Sequence, residues 1–550
     1  MPNDQTNEAH SPSATRFDAV TLEVLWTRLI STVDEAAKTL RRTSFSTLVN
    51  ESNDFACVIT DADGRSLAQN TESIPSFIGT LPVTVKAIIA EIGKANMVPG
   101  DILVTNTPWI ATGHLNDISL IKPIFHDGRI VAFAASTAHA PDIGGKVRSI
   151  EAREIFEEGF HIPPMKMVSA GTPDATFFRL LRAAVRTPDQ TEGDIWAQVT
   201  GLDLIERRLA DLIAEYALDD LDSLASEIIG RCEQAMRRAI TSLPDGDYYH
   251  EMQTDGIDTP ITFRIKLTVA GDAIRVDYAG TSEQVERAIN CPMTYTFAMT
   301  AYALKCALLA DLPNNEGIFN CLEVTAPSGS IVNPRFPASV GGRMAVGHYL
   351  PVVVFGALAA VLPDRLMAAS GSPLWSIIQT GVRDDGRTYA CVLFFNGGMG
   401  ATAAGDGQNT YAWPSNVSNV PVELIERESA LFVHAKQLRP GSGGKGRFRG
   451  GLGQEISLEV KSSTRVGMIF MAERCRFAAS GIAGGGDGAT GEVLIDGQAV
   501  DHRRNLVLDN GQHILLRTPG GGGFGSATER DQDALCHDRE EGYAVDETFD

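Results

Sequence analysis

The sequence has little cysteine: eight in 550 residues, at 57, 232, 291, 306, 321, 391, 475 and 536. No two stand as Cys-x-x-Cys and no compact framework emerges. A disulfide scaffold and a cysteine zinc site are therefore not expected, and the thiols are read as reduced and the chain as cytoplasmic. Positive charge is short as well. Lys and Arg number 47 against 69 Asp and Glu, a net charge of −22 with pI ≈ 5.0. That balance speaks against a nucleic-acid backbone or an anionic membrane as partner, since both call for a basic surface. Long hydrophobic runs are missing. The most apolar stretch, residues 349–362, is too short to span a bilayer and carries Pro351, so it is read as a buried helix. The N-terminus lacks the basic-then-apolar pattern of a secretion signal, and no internal repeat is visible. What remains is an ordinary globular composition, 43% hydrophobic and 21% charged, in a chain long enough to bury a large core over several domains.

The pattern along the chain predicts a multidomain α+β protein. Residues 1–16 are polar and read as disordered. Residues 17–240 read as an α+β region. It opens on a helix over 17–43, with apolar residues from Val20 and Val24 to Leu40 at helical spacing and Arg41 and Arg42 at its C-terminus. Two strands around Asp61-Ala62-Asp63-Gly64, a helix over 76–92, a strand at 101–106 and two or three helices over 175–240 follow. Residues 241–370 read as a central α/β region, with strands over 245–286 and helices over 295–312 and 344–362. Residues 371–525 are rich in glycine and read as mainly β; residues 526–550 read as an acidic, solvated tail.

Chemistry concentrates in one predicted hairpin. ISLIKPIF (118–125) and RIVAFAAS (129–136) are apolar, β-branched runs separated by His126-Asp127-Gly128, a three-residue loop with glycine in the left-handed position. Pairing Phe125 with Arg129 sets Leu115 opposite His139 and Asp117 opposite Thr137. Asp117 and His139 then share a face, and His114 lies where the first strand begins. Two imidazoles and a carboxylate form a metal-ligand set with open positions; the alternative is a hydrogen-bonded turn with polar side chains. Asp142 follows directly and is a candidate to orient a histidine or to serve as a general base.

The segments around this hairpin resemble the hydantoinase B/oxoprolinase family. That family includes N-methylhydantoinase B subunits, the matching half of 5-oxoprolinase, and the large subunits of acetone and acetophenone carboxylases. The resemblance runs from about Asp18 to Tyr543. It is carried by GDILVTNTPWIATGHLNDISLIKPIF and STAHAPDIGG, by EEGFHIPPMKMV and APSGSIVNP, and by RPGSGGKGRFRGGLGQEI and TPGGGGFG. In the carboxylase branch a metal is held by His-x-x-Asp and the histidine after the next strand. The resemblance thus implies a divalent metal, Mn or Zn, on His114, Asp117 and His139. The chain departs from the family at His139-Ala140, at Trp109 and across 341–356, which implies a reshaped substrate pocket.

No complete ATP site is visible. In GSGGKGR (441–447) Lys445 is followed by glycine rather than Ser or Thr and the spacer is short, so it reads as a turn. TPGGGGFG (518–525) reads as a flexible turn. The resemblance implies that ATP and Mg belong to a hydantoinase A-like partner subunit in a hetero-oligomer. Cys291 reads as a buried thiol, His161 and His348 as core or loop histidines, and Arg343 as a candidate contact for an anionic substrate or phosphate. The activity implied is ATP-dependent hydrolysis of a cyclic amide or imide, such as a hydantoin or lactam. The alternatives are a ketone carboxylase subunit and a non-catalytic scaffold.

Overall fold

The computed structural model describes residues 17–146, 150–371, 375–383 and 386–544. The N-terminal segment read as disordered lies outside them. The first helix, Ala19–Thr43, is capped by Asp18, whose carboxylate accepts from the Val20 and Thr21 amides, and closes on Arg41 and Arg42. It buries Leu22, Leu25, Leu29, Val33, Ala36 and Leu40, while Val20 and Val24, expected inside, face solvent.

This helix lies on a seven-stranded antiparallel sheet. The strands are β1 (Phe55–Asp61), β2 (Ser66–Gln69), β3 (Ile102–Thr105), β4 (Asp117–His126), β5 (Arg129–His139), β6 (Met165–Ser169) and β7 (Thr172–Pro173), in the order β2-β1-β5-β4-β3-β6-β7. The predicted helical stretch forms three helices, Ala175–Ala184, Pro188–Glu215 and Asp222–Thr241; Pro188–Glu215 shares the sheet face with the first helix. The helix Pro75–Ile92 covers the other face. β1 and β5 are therefore buried on both sides and read as continuous apolar runs rather than alternating ones. Among the described residues Pro75–Ile92 is the one helix long and apolar enough to cross a membrane. Here it is a core helix, its Gly79 seated directly on Ala298.

The β4–β5 hairpin differs from the predicted register in an instructive way. His126 pairs with Arg129, so the loop is two residues, Asp127 (φ 48°) and Gly128 (φ 75°), a pair of left-handed residues that matches the twist of the strands. Continued unbroken, that register would set Asp117 opposite Ala138 and turn His139 to the other face. A bulge between Ile124 and Phe125 adds one residue on β5, so Ile124 pairs with Ala132 and Asp117 lies directly opposite His139.

The central region carries β8 (Gly246–Thr254), β9 (Ile261–Ala270), β10 (Ala273–Asp277) and β11 (Leu322–Thr325), ordered β11-β10-β9-β8, together with the helix Met293–Leu309. The helix expected over 344–362 is broken into Met344–Gly347 and Leu350–Leu358, with Pro351 in the first turn of the second piece. The apolar run is buried as expected, against β8 and β9.

The C-terminal region is a sandwich. Its strands are β12 (Trp375–Val382), β13 (Thr388–Phe395), β14 (Leu431–Leu438), β15 (Gln454–Val460), β16 (Val466–Met471), β17 (Glu492–Ile495), β18 (Gln498–Ala499), β19 (Leu506–Leu508) and β20 (His513–Arg517). One sheet is β13-β12-β16-β19 and the other β14-β15-β20-β17-β18, with Trp375, Ile377, Phe395, Ile456, Leu458 and Phe470 between them. The flexible turn expected at Gly520–Gly523 is instead a fully buried central segment. Its amides bond to the Ala489, Gly451, Ala369 and Gly486 carbonyls, and the Pro519 and Gly522 carbonyls accept from the Gly398 and Ala401 amides, so four other chain segments pack backbone against backbone around it. A Cβ on Gly520 would stand 1.7 Å from the Ser442 carbonyl, and one on Gly521 2.1 Å from that of Met399. The glycines of 443–453 belong to the same bundle. The described part of the tail faces solvent, as expected, and forms the helix Gln532–Glu540, held by its buried Asp538, which accepts from Arg449 (3.2 Å) and Arg530 (2.7 Å).

Candidate metal centre

His114, Asp117 and His139 meet at the open end of the hairpin, each 1% exposed or less. Asp117 Oδ1 lies 2.8 Å from His114 Nε2 and 2.8 Å from His139 Nδ1, and the two rings are 5.0 Å apart. The three side chains offer ligand atoms all within 4.8 Å of one another. Ligands at about 2.0–2.2 Å from an ion lie roughly 3 Å from each other, so the spacing fits a divalent cation bound by two imidazoles and a carboxylate. His114 directs Nδ1 at the Gly341 carbonyl (3.1 Å), which turns Nε2 inward, the usual outer support of a metal-binding histidine.

Arg343 completes the centre. Its Nη2 donates to Asp117 Oδ2 at 2.7 Å, its Nε donates to the Thr112 carbonyl, and its guanidinium lies 4.4 Å above the Tyr295 ring. One oxygen of Asp117 thus serves the histidines and the other the arginine. Burial would raise the Asp117 carboxyl, but His114, Arg343 and the histidine hydrogen bonds outweigh it and hold it well below the usual carboxylate range. Arg343, read from sequence as a contact for an anion, is brought into the site with its donors on Asp117 and Thr112.

His348, a core or loop histidine by sequence, lines the same cavity, in the break between the helices Met344–Gly347 and Leu350–Leu358. Burial and the nearby Arg343 charge push its ring down to about 3, so it is neutral, and its Nδ1 has no hydrogen-bond partner among the described residues. A lone histidine in an apolar run carries no signal that separates it from a core residue. The cavity holds about 30 Å³ and is lined by Phe77, Phe394, Ser415 and Val417 as well. That is room for an ion and a water molecule, not for a ring substrate, which needs the walls to part.

Asp142 is not brought to the centre. Its carboxylate accepts from the Gly144 amide (3.1 Å), from the Arg186 amide and from Arg186 Nη1 (2.8 Å), a fully buried carboxylate that pins the turn after β5. Cys291 is buried, its thiol pushed up to about 12 by burial, as the thiol reading expected. His161 is satisfied by the Thr107 hydroxyl at 2.8 Å.

Missed from sequence was Glu158. Its Oε1 accepts from the Ser339 hydroxyl and from the Val340 and Gly341 amides. It thereby anchors the loop whose Gly341 carbonyl orients His114. Burial pushes its carboxyl up to about 7 against those donors.

A multidomain α+β chain with a buried histidine–carboxylate centre at the mouth of a hairpin defines a class of protein with a candidate metal site. The chain belongs to the hydantoinase B/oxoprolinase family, whose model matches residues 18–527. It is 28% identical over 562 residues to the B component of a putative D-/L-hydantoinase from a Pseudomonas species, covering 97% of this chain and 94% of that one. It is also similar to the crystal structure of an ATP-dependent caprolactamase from Pseudomonas jessenii, with a TM-score of 0.86 and 25% identity over 96% of this chain and 95% of the other. An acetone carboxylase chain shares the fold, with a TM-score of 0.86 at 19% identity, and this chain covers 78% of it.

Proposed function

We propose that this chain is the metal-holding subunit of an ATP-dependent hydrolase that opens a cyclic amide or imide, a lactam or hydantoin. It would act with a hydantoinase A-like partner that binds ATP and Mg and phosphorylates the amide oxygen. The observation that carries this reading is Asp117 Oδ1 held between His114 and His139 in a buried cavity. The near-complete overlap with the caprolactamase chain supports the hydrolase reading. The carboxylase alternative is less favoured because about a fifth of the acetone carboxylase chain has no counterpart here. The cytoplasmic setting inferred from the thiols is part of the same proposal.

His114, Asp117 and His139 would hold Mn or Zn, which when bound supplies a Lewis acid able to lower the pKa of a water to about 7. The chain's own residues do the rest. Arg343 fixes Asp117 and keeps it ionised. The Gly341 carbonyl, anchored through Glu158, fixes the His114 tautomer. The neutral His348 ring offers a hydrogen bond to the bound substrate. The surrounding apolar walls exclude bulk water and strengthen each of these contacts. Asp142, tied to Arg186, is assigned to holding the turn rather than to proton transfer.

The test is metal analysis by inductively coupled plasma mass spectrometry on the chain co-purified with its partner, beside His114→Ala/His139→Ala, followed by ATP-dependent ring opening on lactams and hydantoins. About one equivalent of Mn or Zn, lost in the variant together with turnover, is expected. Unchanged ring opening in His139→Ala would sink the site. ATP consumption that depends on bicarbonate would favour the carboxylase, and no metal in either sample would favour a scaffold.

A further inference from the structure

A second group of metal-ligating side chains lies far along the chain, on the outer face of the five-stranded sheet of the C-terminal sandwich. β14, β15 and β20 are neighbours there. Glu459 on β15 pairs directly with His513 on β20. On the other side, Phe432 pairs with Glu459, Val433 with Leu458, and Ala435 with Ser457. His434 is therefore the extra residue of a bulge, and it lies on the same exposed face as Phe432, beside Glu459. The result brings three side chains from three adjacent strands together. His434 Nε2 lies 2.9 Å from Glu459 Oε2, the rings of His434 and His513 stack at 5.3 Å, and all three ligand atoms fall within 4.8 Å of one another.

We propose that His434, Glu459 and His513 form a second, surface site for a divalent transition metal of the Zn²⁺ class, separate from the buried centre. Two imidazoles and one carboxylate on rigid strands leave at least one position open for water or for a donor from another molecule. The donor set is borderline-soft and selects Zn²⁺, Ni²⁺ or Cu²⁺ over Mg²⁺ or Ca²⁺. The two carboxylate oxygens of Glu459 divide their work. Oε2 faces His434, while Oε1 takes the Lys461 ammonium at 2.5 Å, which aims the carboxylate and keeps it ionised. Phe432 packs edge-on against the His434 ring at 5.0 Å and restricts its rotation. His513 is fixed through its own amide, which donates to Asp496 at 2.9 Å. The site is open to solvent, so an ion reaches it without the structural opening that the buried cavity requires.

The probe is Zn²⁺ alone, titrated calorimetrically into the metal-stripped full chain in complex with its partner subunit. Relative to wild type, His434→Ala/His513→Ala is expected to bind one equivalent fewer, and His114→Ala/His139→Ala to retain that equivalent. An unchanged zinc stoichiometry in His434→Ala/His513→Ala overturns the proposal. A second measurement does not depend on the variant folding. Cu²⁺ is added to unaltered protein whose buried centre is already filled, and electron paramagnetic resonance reads the next equivalent bound. Hyperfine coupling to two imidazole nitrogens is expected, and its absence overturns the site.

Discussion

Asp117 Oδ1 lies 2.8 Å from both His114 Nε2 and His139 Nδ1 while Oδ2 accepts from Arg343, so each of its oxygens has a separate task. Arg343→Lys keeps the charge but loses the planar fork that reaches Asp117 and the Thr112 carbonyl together. Outer supports of this kind typically contribute about 10- to 100-fold to metal affinity, so a loss of roughly that size is expected in a competition assay with a chelating dye. Glu158 makes a pH prediction. Its carboxyl is raised from 4.5 to about 7 in the folded chain, chiefly by burial, so the folded state holds that proton more tightly than the unfolded one. The resulting stabilisation, on the order of 3 kcal/mol, is complete below about pH 4.5 and is lost as pH rises through about 7. Glu158→Gln lacks this dependence. Urea midpoints should therefore move in favour of the variant between about pH 5 and pH 8, and a difference that stays constant would show that Glu158 does not titrate there.

At the scale of the element, the hairpin is the device that assembles the centre. Its two-residue loop and its bulge each shift the register, and only together do they set Asp117 opposite His139. The sequence places both residues on one face through a three-residue loop and no bulge. That predicted register differs from the observed one by two residues, Asp117 standing opposite His139 rather than Thr137, so the shared face survives although the partners change. Gly128 tests the loop. At φ 75° an added Cβ meets nothing within 4 Å, so Gly128→Ala should cost only the left-handed backbone penalty of about 1 kcal/mol. Urea unfolding reads that cost, and metal content should be unchanged.

Across the whole molecule, the cavity draws its walls from three chain regions: Asp54 to His139, Tyr295 to His348, and Phe394 to Val417. The third of these stands on the glycine bundle, where five chain segments pack with no side chains between them. Gly521→Ala would set its methyl carbon 2.1 Å from the Met399 carbonyl oxygen, with no flexible side chain to yield. Overpacking of backbone on backbone exceeds the usual cost of a crowded core, about 1–3 kcal/mol, so a loss above roughly 4 kcal/mol is expected. The readout is the fraction of soluble protein and its thermal midpoint; wild-type values would mean that the bundle can yield.

Local pattern was enough for the first helix, the strands around the Asp-Ala-Asp-Gly turn and the helical stretch after Ala175, because periodicity and caps act over a few residues. It was also enough to bring together His114, Asp117 and His139, which lie within 26 positions of one another on a single hairpin. Contacts across long sequence separations decided what local pattern could not. Arg343 reaches Asp117 over 226 residues and Glu158 reaches Gly341 over 183, so their roles as supports depend on packing. The glycine runs read as turns because glycine tolerates any turn. Only the packed molecule shows that they lack side chains because other backbones occupy that space.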